Sequence, residues 1–144
     1  MGDLDDSPGQ PPLTDSDVQQ AIISLLPGKV YDLLITHSPH GEYTRHLRHE
    51  ETSRAVCVLW EQGEIISKKL WLFAYEDGAG KYLPRPIEKS HKTITLPEAV
   101  WREKYRIITN IYGFSRDSFE ARVIQKKESF WCFHSPLQMH QWLS

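Results

Sequence analysis

A chain of 144 residues with a formal net charge of -2 fits one domain with a modest core and lacks the basic surplus of a nucleic-acid binder. No apolar run approaches the roughly 20 residues of a membrane-spanning helix, and the acidic opening Met1-Gly2-Asp3-Leu4-Asp5-Asp6 is no basic-then-apolar leader. Two cysteines, Cys57 and Cys132, make no disulfide framework, so a reducing, cytoplasmic setting is the expectation.

Residues 1–14 carry Asp, Ser, Pro and Gly and few apolar side chains. Such a segment cannot offset its ordering entropy by burial, so loop or tail is expected unless something docks it. A helix follows, with Thr14, Asp15 or Ser16 as N-cap and Val18, Ala21, Ile22, Leu25 and Leu26 at helical spacing. Pro27-Gly28 ends it. The run from Val30 to Thr36 is short, mostly apolar and bounded by Gly28 and Ser38-Pro39, which suits a buried parallel strand. From His46 to Gln62 the pattern is helical again, with Ala55, Val58 and Leu59 on one side and Gly63 as a stop. Residues 69–75 predict a second strand, closed by the turn Glu76-Asp77-Gly78-Ala79-Gly80. Residues 79–96 read mostly as loop around Pro84 and Pro86, with a short strand over 92–95. Pro97 opens a helix to about Tyr112. In residues 115–144 a short helix is expected, without defined ends.

A helix followed at once by a parallel strand is an α/β unit, and ligands collect beyond the carboxyl ends of its strands. Four of the seven histidines, His37, His40, His46 and His49, begin there. His46 and His49 stand three apart and share a face if the helix starts near His46. Imidazole is a ready zinc ligand, and a catalytic zinc needs three protein ligands and an open position. The competing reading is a polar loop of solvated or capping histidines beside Arg45 and Arg48. The aspartates Asp3, Asp5 and Asp6 read as a solvated acidic loop, and His37 and His40 as loop or substrate-edge residues rather than ligands. Trp60 and Trp71 lie in apolar patterns and read as core, Asp77 as turn chemistry, and Cys132-Phe133-His134 as structural.

The run Tyr31-Asp32-Leu33-Leu34-Ile35-Thr36-His37-Ser38-Pro39-His40-Gly41-Glu42-Tyr43, followed by His46-Leu47-Arg48-His49, resembles a conserved block of the PIG-L/LmbE family of zinc-dependent de-N-acetylases. Residues 70–78 and 82–85, Trp101-Arg102-Glu103-Lys104-Tyr105 and Tyr112-Gly113-Phe114 are similar to members of that family as well. The resemblance implies an α/β fold: the C-terminal portion of a Rossmann-like LmbE sheet, mostly parallel, with flanking helices. It implies a PIG-L/LmbE-like domain over 15–144, N-terminally incomplete, after a loop or tail over 1–14. It also implies a Zn²⁺-dependent amide hydrolase that removes acetyl from an N-acetylated sugar such as an N-acetylglucosaminyl compound; charge and apolar patterning add the expectation of no nucleic-acid partner and no membrane span. Carried over by position, His49 is the metal ligand and His46 the catalytic partner histidine. Glu42, Tyr43 and His37 border the substrate or support the site.

Two departures stand in this block. Thr44 and Arg45 both intervene before His46, where the family has one residue, and Arg48 occupies a place the family gives to an acid. The family's Ala-His-Pro-Asp-Asp-Glu type block, which supplies further ligands and a general base, has no match in the sequence. A chain beginning partway through a longer reading frame is the expectation, and with it an open sheet edge or apolar face. The alternative functional class is a non-catalytic remnant that binds a glycan or a protein through the same cleft; a structural zinc domain is a third. Zinc content and acetate release separate them.

Overall fold

A computed structural model describes residues 4–5, 7, 9–42 and 45–144. It shows a mixed α/β chain with small sheets, some of them parallel. Its contacts group into two compact units. One comprises residues up to 41, 45–72 and 132–144; the other is built mainly from residues 73–131.

In the first unit, α1 spans Asp15–Leu25 and starts as its sequence predicts. Thr14 Oγ1 accepts from the Asp17 N–H at 3.2 Å, satisfying one of the first-turn donors that have no intrahelical partner. Thr14→Ala is expected to cost about 1 kcal/mol in urea unfolding. α1 packs on α2, Leu47–Glu61, whose end at Gly63 uses a positive φ of 74° that glycine adopts without strain. The helix α5, Pro136–Leu143, packs on α2 as well. Its Ser135 cap accepts from the Gln138 N–H.

The predicted strand over 30–36 forms as two short pieces, β1 (Val30–Tyr31) and β2 (Leu34–Thr36). β1 pairs in parallel with β3 (Ile66–Ser67), and β2 in parallel with β4 (Leu70–Phe73). Leu34 sits beside Leu70 and Thr36 beside Leu72. Leu70 and Leu72 are fully buried, as are Ile65, Phe133 and Met139, and Leu59 and Trp60 are buried with them. Trp60 is core, as expected, and its indole N–H donates to the Ser67 carbonyl at 3.1 Å. The expectation of a buried strand over 30–36 does not hold. Val30 is 72% exposed and Ile35 51%, because among the described residues β1 and β2 are end strands with a neighbour on one side.

Cys57 lies on the buried side of α2. Burial pushes its thiol up to about 12, against a hydrogen bond with Ser53 that favours the thiolate. A thiol this far from ionising is a poor nucleophile. Maleimide labelling of the native chain should modify Cys132, which is only half-buried, and leave Cys57 untouched until denaturant is added.

The second unit holds β5 (Tyr75–Glu76), β6 (Arg85–Pro86) and β7 (Lys92–Thr95), then α3 (Glu98–Arg106) and α4 (Phe119–Arg122). The strand β8, Lys127–Phe133, pairs antiparallel with β7. β5 and β6 are antiparallel as well, so a mostly parallel sheet describes only the first unit. The short helix expected in residues 115–144 is present twice, as α4 and α5; between them lies β8, the longest strand among the described residues, which the sequence reading did not anticipate. Pro97 caps α3 rather than opening it, and the helix continues as a π-helical turn over Ile107–Ile111. There the β-branched run Ile107-Ile108-Thr109 crowds the helix, and Thr109 Oγ1 donates back to the Tyr105 carbonyl at 2.9 Å. Among the described residues no helix is long and apolar enough to cross a membrane.

Candidate metal centre

β2 ends at Thr36, and the chain then turns through Ser38–His40 into α2. His46 is the N-cap residue of α2 and makes no side-chain cap hydrogen bond. The expectation that His46 and His49 share a face holds, with ring centroids 4.4 Å apart. His37 joins them from the strand end: its ring stacks on His49 at 3.8 Å and only 8° from parallel. Three imidazoles therefore form a short column with His49 in the middle.

Glu42 is buried, and one ligand atom each from His37, Glu42 and His49 lies within 4.8 Å of the others. Three of the residues picked from the sequence thus meet, with His46 against them. His40 is not among them; it is exposed and its ring packs on Trp142 at 5.2 Å. Tyr43 lies outside the described residues, as do Asp3 and Asp6. Asp5 is exposed, and its carboxylate accepts from the Ser7 N–H, a local turn contact.

The surroundings fix this corner. The hydroxyl of Ser53, fully buried on α2, donates to the His37 carbonyl at 2.6 Å and ties the strand end to the helix. Sequence reading passed over Ser53, although it stands four residues after His49 and so shares its helix face. The neighbouring carboxylates are engaged elsewhere. Arg45 donates twice to Glu50, at 2.5 and 2.9 Å, and Arg54 stands 3.8 Å away. The Arg45 hydrogen bond holds the Glu50 carboxyl below its usual range, although burial opposes it. Glu51 pairs with Arg48 at 2.5 Å and accepts from the Leu13 N–H at 3.0 Å.

Arg48 also donates to the carbonyls of Asp5 (2.7 Å) and Pro11 (2.9 Å). The N-terminal segment is therefore held to α2 where a free tail was the default. Arg48, which replaces an acid in the resemblance, is the residue that holds it.

Two imidazoles and one carboxylate are a donor set that catalytic zinc uses, with a fourth position open. Around a tetrahedral zinc the ligand atoms stand about 3.3 Å apart, given metal–ligand bonds of about 2.0–2.1 Å. The described spacing, up to 4.8 Å, is near but open. Stacked rings also send their in-plane lone pairs along parallel lines, so one of the two imidazoles must tilt before both reach one ion. The residues present are a donor set that fits such an ion, with ligand atoms that must close in to reach it.

No protein-family model, curated protein or solved structure matches the chain. The geometry of this corner and the sequence block that forms it are what a functional reading rests on.

Proposed function

We propose that the His37–His49 corner binds a Zn²⁺-type cation and serves a PIG-L/LmbE-like N-deacetylase reaction on an N-acetylated sugar. The observation that carries this is the approach of His37, Glu42 and His49, contributed by a strand end, the following loop and a helix start. In this reading the fold is the C-terminal portion of a Rossmann-like sheet, and ligands lie past the carboxyl end of β2.

His37, Glu42 and His49 would hold the ion, which would polarise the amide carbonyl and lower the pKa of a water. Ser53 holds the backbone of His37 and would keep that ligand at the strand end. His46, tilted against His49 and outside the ligand trio, would donate to the carbonyl oxygen as charge develops on it. A carboxylate must also take the proton of the attacking water. Glu50 and Glu51 are bound to arginines and Glu42 would be a ligand, so that proton would go to a carboxylate of the Ala-His-Pro-Asp-Asp-Glu type block, which this sequence does not contain.

That last observation favours a second reading, in which the same corner binds a metal and a glycan or protein without turning over. Acetate release from N-acetylglucosamine derivatives by zinc-loaded protein decides between them. Release that is lost in His46→Ala with zinc content unchanged supports the hydrolase. Zinc-loaded protein that releases no acetate supports the binding module, and protein that takes up no zinc overturns both.

A further inference from the structure

The chain leaves β2 through the turn Ser38-Pro39-His40-Gly41, in which the Gly41 N–H donates to the Ser38 carbonyl at 3.2 Å. Serine first, proline second and glycine fourth are residues that a tight turn favours, and Gly41 uses a positive φ of 90°. The Ser38 hydroxyl accepts from the His40 N–H, also at 3.2 Å, which closes the turn a second time. His37 stands immediately before this turn and Glu42 immediately after it, so two of the three ligand-trio residues adjoin it.

The turn is held at two places. At its entry, Ser53 of α2 donates to the His37 carbonyl. A single hydrogen bond leaves a pivot. At its apex, the exposed His40 lays its ring against Trp142 of α5, with centroids 5.2 Å apart and planes at 54°. Trp142 is itself backed by the core: its ring lies 5.4 Å from that of the buried Phe133, and Met139, one turn earlier in α5, is fully buried. The start of α5 is fixed by the Ser135 cap and by the Gln138 side chain, which accepts from the His134 N–H at 2.9 Å. His40 therefore rests on a wall that the packing of α5 keeps in place.

We infer that Trp142 is a positioning residue of the metal corner, acting through His40 to hold the turn in the conformation that presents His37 to the ion. The inference rests on the cation-binding reading above. Without the ring contact at its apex, the turn swings about the Ser53 hydrogen bond and His37 spreads over more positions. Apparent affinity falls by the fraction of the chain that still presents the ligand. An aromatic pair can bias that fraction by about 10-fold, the lower end of what residues that orient a metal ligand contribute.

A double-mutant cycle on zinc affinity tests this in the full chain. His40→Ala and Trp142→Ala should each weaken zinc binding by about 10-fold, and the double variant by no more than either alone, because both remove one contact. His40→Phe keeps a ring on Trp142 and has no ligand atom, so it should bind within about three-fold of the native chain. His40 is exposed, so its two variants cover the case in which Trp142→Ala does not fold. Native affinity in His40→Ala, additive losses in the double variant, or a His40→Phe as weak as His40→Ala would each overturn the inference, the last by making His40 a ligand. Proton spectra in EDTA supply a readout that needs no metal. The ring-current shifts of the stacked His37 and His49 should collapse in His40→Ala and persist in His40→Phe. A native chain that takes up no zinc overturns the cation-binding reading, and the hold of Trp142 on the turn then stands or falls on those spectra.

Discussion

His49→Ala is expected to abolish zinc uptake, and His37→Ala to weaken it by more than about 100-fold. Changes to residues that merely support a ligand cost about 10- to 100-fold in metal affinity, so removing a ligand should exceed that range. His49 has the greater effect because it sits in the middle of the imidazole column, within contact of both His37 and His46. His46→Ala should leave affinity within a few-fold, since His46 is outside the trio whose ligand atoms lie within 4.8 Å. Equilibrium dialysis with zinc, followed by metal analysis, reads all three. The geometry adds a second signature. Binding requires the parallel His37 and His49 rings to part, so their ring-current-shifted proton resonances should move on zinc addition in the native chain. Unchanged zinc content in His49→Ala would show that the ion, if any, is held elsewhere.

How much of this corner the sequence disclosed follows from how far apart its residues stand. His46 and His49 were legible because three-residue spacing at a helix start places two side chains on one face. His37 was legible only as a neighbour. Its stacking on His49, twelve positions on, depends on how the loop closes, and no local spacing encodes that. Glu42 was legible through the family resemblance, and its burial beside two imidazoles is a tertiary fact. The helices α1 and α2 stood out through caps, period and stop residues. β8 did not, because Phe130 and Phe133 are buried three apart, a helical spacing, while Ser129 between charged and aromatic residues is buried through its hydroxyl contact with Thr93 at 2.8 Å. The open edge at Val30 and Ile35 reads as buried strand in sequence for a related reason. Apolar content reports what a face could bury, and the presence of a neighbour decides what it does bury.

Arg48→Ala is expected to destabilise the chain by about 3–5 kcal/mol, the cost of leaving a buried charge without its partner. Arg48 is 8% exposed and Glu51 5%, so the Glu51 carboxylate would keep only the Leu13 N–H in place of a 2.5 Å ion pair. The guanidinium also satisfies two backbone carbonyls, those of Asp5 and Pro11, at 2.7 and 2.9 Å. Losing it should therefore release the N-terminal segment as well as weaken the fold. Urea unfolding reads the first effect, and limited proteolysis of the segment before Leu13 the second. The pair itself is not the source of all that energy, since bringing both charges out of water opposes much of their attraction. Arg48→Met combined with Glu51→Met should consequently recover a large part of the stability while leaving the segment loose, because no donor remains for the two carbonyls. An Arg48→Ala cost below about 1 kcal/mol, the range of an exposed ion pair, would mean that this contact is solvated and does not anchor the segment. A double variant as unstable as the single one would instead place the anchoring energy in the carbonyl contacts rather than in the charge pair.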